Sequence, residues 1–424
     1  MRSTKIVFIG AASASFGPAC LLDAIHCEGL AGSTLVLVDI DAQRLEVMAR
    51  LARRLNEVSG AGLIIEHTTE RREALPGAEF VINSIAIDRN ELWKLDWSIP
   101  LKHGIKQVLG ENGGPGGLSH SLRNIPAILD ICKDMERLCP NALFINFSNP
   151  ESRVCLAVSK HTSIRSVGLC HGVYMGIDSI SRITGEKGFD VVAAGLNHFT
   201  WFLSIKNGDH DLYPLLREKS RQCAPDYLPL SRRMLDVFGL FPSPSDDHIG
   251  EYLPYAWEAT GLEGYNFAAA DRDREKQWAL NVRLADGDDS IHEYAKRRSG
   301  EKAFDIIRAT LANTNELLLA VNIPNGGCIT NLPADAVVEV PATVGANGIT
   351  GARVGELPEG IAALCNTQVA VQKLVVEAAV TGSRQVALQA MLADPVVQSA
   401  DTATQCLDEL LSVHAAHLPQ FSHE

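Results

Sequence analysis

Lys5-Ile6-Val7-Phe8-Ile9-Gly10-Ala11-Ala12-Ser13-Ala14-Ser15-Phe16 is the stretch that decides the fold. Lys5–Ile9 reads as a buried strand; a glycine turn follows, and then a helix through about Cys27. A second run, Thr34-Leu35-Val36-Leu37-Val38, ends in Asp39-Ile40-Asp41. Working outward, the pattern predicts a helix over 42–58, a strand over Leu63–His67, a turn at Pro76-Gly77 and a strand over Phe80–Ile85. The Gly-rich stretch Gly110–Gly117 then leads into a helix over 119–138 and a strand over Ala142–Phe147. Strand and helix in alternation imply a parallel sheet covered on both faces, an α/β fold. Beyond about residue 165 the pattern changes. Ser299–Val321 and Gln368–Leu392 read as long helices, with Gly- and Pro-rich chain containing Val337–Pro341 between them, and Phe241–Asp247 reads as a long irregular loop. The division expected is an α/β domain over 1–165 and a mixed α+β C-terminal domain over 166–424.

The chain has 424 residues, 46% hydrophobic and 21% charged, which is ordinary globular composition. Lys plus Arg number 38 and Asp plus Glu 51, a net charge of −13. An acidic chain without a basic stripe is a poor match to nucleic acid or an anionic membrane. The 10 Cys include no C-x-x-C pair and are too sparse for a disulfide scaffold. With an N-terminal apolar run too short for a signal peptide, the reading is a reduced, cytoplasmic protein.

Several motifs carry chemistry. Gly10 and Asp39 sit where a Rossmann-like, doubly wound sheet binds a dinucleotide; the plainer reading is such a domain holding another ligand or none. The turn lets backbone approach a pyrophosphate, and the acidic residue meets the ribose 2′-hydroxyl, favouring NAD over NADP. The glycine fingerprint is altered: Ala12 takes the second place, and Ser15 or Phe16 stands near the third. Gly110–Gly117 reads either as backbone laid against a ligand or as a glycine-rich connector. Asn146-Phe147-Ser148-Asn149-Pro150 closes a strand, so the Asn149 amide can reach the ligand crevice, or it can simply end the strand. Cys170-His171 and Asn197-His198 each end a strand. A thiolate and an imidazole would leave open positions on a divalent metal, whereas the plainer reading is a buried thiol and ordinary histidines. Asp246-Asp247-His248-Ile249-Gly250-Glu251-Tyr252 crowds titratable groups as an acid/base site would, although Asp246 also reads as a helix N-cap.

Together these motifs resemble the family-4 glycoside hydrolases over nearly the whole chain. The likeness extends through Ile99-Pro100-Leu101-Lys102, Leu122-Arg123-Asn124-Ile125-Pro126, Glu251-Tyr252-Leu253-Pro254, Asn325-Gly326-Gly327, Asn331-Leu332-Pro333 and Val338-Glu339-Val340-Pro341. The resemblance implies NAD and a divalent metal, manganese, as cofactors, and a redox route in place of the usual carboxylate pair. Sugar C3 is oxidised, the C2 proton removed and the aglycone expelled from C1. Water then adds and hydride returns to C3, regenerating NAD.

By the same resemblance, Cys170 and His198 are the metal ligands and Asn149 and Arg272 substrate contacts. His171 is the acid for the departing oxygen, and Tyr252 the C2 base, with Asp247 able to share that role. Gly10, Ala12, Ser15, Phe16 and Asp39 hold NAD. The C-terminal domain carries metal, substrate and the interface of a homo-oligomer, a dimer or tetramer. Two departures argue against a 6-phospho-sugar: Trp93 stands where such members carry Arg, and His171 where they carry Asp or Asn. A neutral α-galactoside or α-glucoside, a uronide or a sulfonated sugar remains. The nearest rival is an NAD-dependent 2-hydroxy-acid dehydrogenase with His198 as proton acceptor.

Overall fold

A computed structural model describes residues 2–422, so the outer limits of the two expected domains, Met1 and Glu424, lie outside the described residues. The strands in chain order are β1 (Lys5–Ile9), β2 (Thr34–Val38), β3 (Ile64–Thr68), β4 (Phe80–Asn83), β5 (Leu143–Asn146), β6 (Arg165–Gly168), β7 (Asp190–Leu196), β8 (Phe199–Asn207), β9 (His210–Asp211), β10 (Pro242–Ser243), β11 (Glu316–Pro324), β12 (Val337–Gly345) and β13 (Gly348–Gly351). They form one sheet in the order β10-β8-β7-β12-β11-β6-β5-β4-β1-β2-β3, with β13 on β12 and β9 on β8. The run β3-β2-β1-β4-β5-β6 is parallel throughout. That is the strand order of a doubly wound dinucleotide fold. From β11 onward the pairing is antiparallel. The expected class, a Rossmann-like sheet continued by a mixed α/β part, is the one observed.

Sheet burial follows from the sequence. Side chains alternate faces along a strand. Ile6, Phe8, Leu35 and Leu37 enter one core and Val7, Ile9, Val36 and Val38 the other. Such strands must be apolar on both faces, as the opening stretch is. The helix Ala42–Ser59 is capped by Asp41, which accepts the Gln43 and Arg44 amides at 3.1 and 3.0 Å.

Two helix expectations need correction. The 299–321 segment is a helix only over Ala303–Ala312; Asn313 at φ 52° ends it, and the chain continues as β11. The apolar run from Leu317 to Ile323 fits a buried strand as well as a helix, and its neighbours in the sheet decide. The 368–392 segment is two helices, Glu359–Thr381 and Arg384–Ala393, broken at Gly382 (φ 71°). A Cβ on Gly382 would lie 1.9 Å from the Gln420 carbonyl oxygen, so only glycine fits.

The C-terminal segment closes over the helix Gly114–Leu138. Arg123 on that helix pairs with Asp96 through two contacts of 2.9 and 2.5 Å, all but sealed from solvent, and His414 Nε2 stands 2.9 Å from the same carboxylate. Gln420 donates to the Leu122 carbonyl at 2.9 Å.

The first turn carries a local test. Gly10 has φ 87°, and a Cβ there would lie 2.8 Å from the Ser84 carbonyl carbon. Gly10→Ala combines an unfavourable backbone region with that contact and is expected to lose about 1–3 kcal/mol in urea unfolding. Wild-type stability would show that the turn relaxes without cost.

Candidate active site

The first turn gathers the residues expected to hold the cofactor. The Gly10 and Ala11 amides donate to the Val38 carbonyl at 2.9 and 3.2 Å. Asp39 accepts from the Ala12 amide at 2.9 Å and the Asp41 amide at 3.1 Å, so it ties the turn to the end of β2. Exposed Ser15 precedes the helix Phe16–His26 without a capping side-chain bond, and that helix has no acidic residue in its first turn. Its amino end is therefore open to an anion, which fits a pyrophosphate. Phe16 leans on Phe147 with ring centroids 4.8 Å apart, joining the turn to the end of β5. The glycine that lets the helix pack close is Gly17, which the sequence reading missed. A Cβ there would lie 2.5 Å from the Ala11 carbonyl oxygen.

Cys170 follows β6, and His198 occupies the two-residue turn between β7 and β8. His198 takes φ 60°, rare for a non-glycine residue, and is buried. Burial, then the neighbouring His248, hold its imidazole well below its usual range, so it is neutral and keeps one lone pair. The Cys170 sulfur accepts from the Gly172 amide at 3.3 Å and from Asn197, the residue before His198. Among the described residues, no group of three or more His, Cys, Asp or Glu could hold a metal. A thiol and a neutral imidazole are donors a divalent ion accepts, and fewer than three leave positions for a substrate. The two residues fit the ion that the sequence implies. His171, half exposed, faces Glu301 at 3.4 Å, which raises its pKa.

The glycine-rich stretch proves to be held by the protein's own side chains. One oxygen of buried Glu251 accepts the amides of Glu111, Asn112 and Gly113 at 2.7, 2.6 and 3.0 Å. Gly114 donates to Asp394 at 3.2 Å and Gly116 to Gln107 at 3.0 Å. The helix begins at Gly114, earlier than the expected 119. From this loop Asn112 reaches His198 Nδ1 at 3.1 Å, and buried Glu111 pairs with Arg89 and accepts from Asn149 at 3.2 Å. His120 lies 2.9 Å from the Glu111 carbonyl and 2.8 Å from Asn124, which also donates to the Asn149 carbonyl at 2.8 Å. The sequence reading left Glu111, Asn112, His120 and Glu251 without roles, because their partners are distant in the chain.

The acidic segment divides its work. Asp246 caps not its own helix but Pro229–Phe238, accepting the Leu230 and Ser231 amides at 2.7 and 2.8 Å. Asp247 accepts from Ser245 at 2.5 Å and lies 2.9 Å from His248 Nδ1. Burial raises Asp247, but the His248 and Ser245 contacts outweigh it and hold the carboxyl well below its usual range. The His248 ring meets the His198 ring edge-on at 4.4 Å. Tyr252 is buried, its hydroxyl 3.4 Å from the Asn197 carbonyl, and burial followed by the Glu251 charge pushes the phenol far up. Thus Cys170, His198, Asp247, Tyr252 and Asn149 are joined by contacts through Asn197, His248, Asn112, Glu251 and Glu111. Arg272 is exposed on the helix Phe267–Ala285, and no described hydrogen bond or ion pair ties it to the cluster.

A family model described as Family 4 glycosyl hydrolase matches residues 5–186, and one for the C-terminal domain of that family matches 193–397. The chain belongs to glycosyl hydrolase family 4. It is a glycoside hydrolase, as its sequence motifs implied. It is 35% identical to an α-glucosidase of Erwinia rhapontici, over 97% of this chain and 98% of that protein. It is 33% identical to an α-galactosidase of Bacillus subtilis (strain 168), over 98% and 99%. The fold matches a 6-phospho-α-glucosidase from gut microorganisms, solved in complex with NAD and Mn2+, with a TM-score of 0.83, 23% identity and 99% of each chain covered. Among the described residues no helix is long and apolar enough to cross a membrane.

Glu251 makes the site's stability depend on pH. Burial, then the charge of Glu111, push its carboxyl up from 4.5 to about 7. A raised acid stabilises the fold fully below the unfolded value, and loses that contribution as pH climbs through the folded one. Glu251→Gln escapes this loss. Relative to wild type it should gain on the order of 3 kcal/mol between pH 4.5 and pH 8 in urea unfolding. An equal difference at both pH values would refute the shift.

Proposed function

We propose that this glycoside hydrolase cleaves a non-phosphorylated α-glycoside, using NAD and a divalent metal, manganese, in an oxidation–elimination–addition–reduction cycle. The observation that carries the choice of sugar is Arg89. This cation beside Asn149 is ion-paired with Glu111, and its guanidinium lies 4.9 Å from the Trp93 ring centre. Trp93 is itself buried and stacked on Tyr265 at 4.6 Å. A phosphate dianion would meet a neutralised Arg89 and an aromatic wall. The α-glucosidase and α-galactosidase relatives support the α-glycoside reading over a 2-hydroxy-acid dehydrogenase.

When bound, NAD supplies a hydride acceptor and donor for sugar C3, and the metal a Lewis acid that makes the neighbouring C2 proton removable. Cys170 and His198 would hold the metal. Gly10, Ala12, Ser15 and Phe16 would place the pyrophosphate and Asp39 the ribose. Asn149 orients the sugar by its amide. Tyr252 would take the C2 proton, for which its phenol, pushed up by burial, needs the charge of a nearby cation to bring it down; Asp247, paired with His248, is the weaker base. His171, with its imidazolium favoured by Glu301, gives a proton to the departing oxygen. Arg272 has no part in this assignment.

A panel of aryl α-glycosides, uronides, sulfonated sugars and 6-phospho-glycosides, assayed with NAD, Mn2+ and a thiol reductant, tests the reading. The expected result is cleavage of a non-phosphorylated member with no net NADH. Accumulating NADH without cleavage would identify a dehydrogenase, and preferred cleavage of the phosphorylated member would overturn the sugar assignment. Cys170→Ser should abolish metal-dependent turnover while leaving the circular dichroism spectrum unchanged, because a neutral hydroxyl is a poor replacement for a thiolate. Full activity in that variant would remove sulfur from the metal site.

Tyr252→Phe should lower turnover by about 10²–10⁴-fold, the usual cost of losing a general base. Exchange of the C2 hydrogen in D₂O, followed by NMR of the product sugar, should fall with it. Near-normal turnover would move the base to Asp247.

A further inference from the structure

Glu251 has no place in the chemistry above, yet it is among the most heavily engaged side chains of the site. It lies in the tight turn Gly250–Tyr252, 1% exposed, directly before the candidate base. Its Oε2 alone collects the three successive amides of residues 111–113. Successive amides turned toward one point form a nest for an anion, and here a carboxylate from the same chain fills it. The other oxygen, Oε1, is buried without any hydrogen-bond partner. An orphaned carboxylate oxygen is costly, so the arrangement is not one that stability alone selects.

Glycine makes the closure possible. A Cβ on Gly113 would lie 2.4 Å from the Glu251 carbonyl oxygen and 2.8 Å from its Cβ. What the clamped loop presents is the site itself. Asn112 reaches His198 at 3.1 Å, the Glu111 carboxylate takes Asn149 at 3.2 Å, and the Glu111 carbonyl meets His120 at 2.9 Å. We propose that Glu251 is a positioning residue: by clamping the 111–113 backbone it fixes the placing of Tyr252, His198 and Asn149 relative to one another. This rests on the functional reading given above.

The test compares wild type with Glu251→Ala, Glu251→Gln and Gly113→Ala, each as the full chain. Glu251→Ala removes the clamp, Glu251→Gln keeps one acceptor oxygen in place, and Gly113→Ala pushes the loop away while leaving the carboxylate intact. Backbone hydrogen exchange at residues 111–113 should accelerate in Glu251→Ala and Gly113→Ala, with an intermediate rate in Glu251→Gln. A displacement of about 1 Å costs about 10²-fold. The loss should therefore appear in kcat for Glu251→Ala and Gly113→Ala, with KM changed by less than about threefold and part of kcat recovered in Glu251→Gln. Mn2+ binding, read by electron paramagnetic resonance, should weaken about 10–100-fold through the Asn112–His198 contact. Folded Glu251→Ala and Gly113→Ala with wild-type kcat and Mn2+ affinity would overturn the proposal. So would failure of all three variants to fold, which would make the clamp a prop of the fold rather than of the site. A wild type that binds no Mn2+ and cleaves no glycoside would instead defeat the functional reading, and the hydrogen-exchange comparison would still decide whether the clamp holds the loop.

Discussion

The buried carboxylate of Glu339 in β12 is the knot on which the site hangs. It receives the Asn197 amide at 3.2 Å, the Asn322 amide at 3.1 Å and the Thr200 hydroxyl. Those donors come from the β7–β8 turn, β11 and β8, so one side chain gathers the antiparallel part of the sheet. β11 in turn pairs with β6, the last parallel strand, through Asn322 and Gly168. Cys170 follows β6, and His198 sits in the β7–β8 turn. Their spacing is therefore set by sheet geometry and by Glu339, not by a flexible loop. Burial raises the Glu339 pKa, and the three donors offset part of that cost.

The same economy recurs at the carboxyl ends of the parallel strands. Asn83 at the end of β4 donates to Asn146 at the end of β5 and to Ser148, both at 2.9 Å. Polar groups here are buried and mutually satisfied, which rigidifies them. Other buried atoms stay unpaired, Asn83 Oδ1, Asn112 Oδ1, Asn124 Oδ1 and Glu251 Oε1 near the site and others, such as Trp201 Nε1 and Gln368 Oε1, elsewhere. Each such atom has a cost that stability elsewhere must carry.

Much of this was legible in the residues. The apolar strands β1 and β2, the turn at Gly10 and the acid at Asp39 announce the parallel sheet, because burial on both faces leaves a continuous apolar signature. The same signature misled at Leu317–Ile323, where an apolar run after a helix gives no sign of the strand beside it. The motifs at Asn149, Cys170 and His198 were visible because each ends a strand. Glu111 and Glu251 were in plain view too, but nothing local indicates that residues 140 apart share one hydrogen-bonded turn. Asp246 illustrates the same limit: its place in the sequence suits a cap of its own helix, and it serves another. Periodicity reports which face is buried, not which distant backbone amide a carboxylate will find.

The closure of the C-terminal segment bears on how the chain is made. The helix Gly114–Leu138 begins at the clamped loop, and its Arg123–Asp96 pair is covered by His414, while Gln420 bonds the Leu122 carbonyl. Those covering residues follow the helix they cover by nearly 300 residues; Gln420 and Leu122 are 298 apart. Until they arrive, a buried ion pair and a helix backbone group in the first third of the protein stand open to water. A nascent chain can form its parallel strands early, but the helix that begins at the clamped loop stays uncovered until this much later stretch has been made.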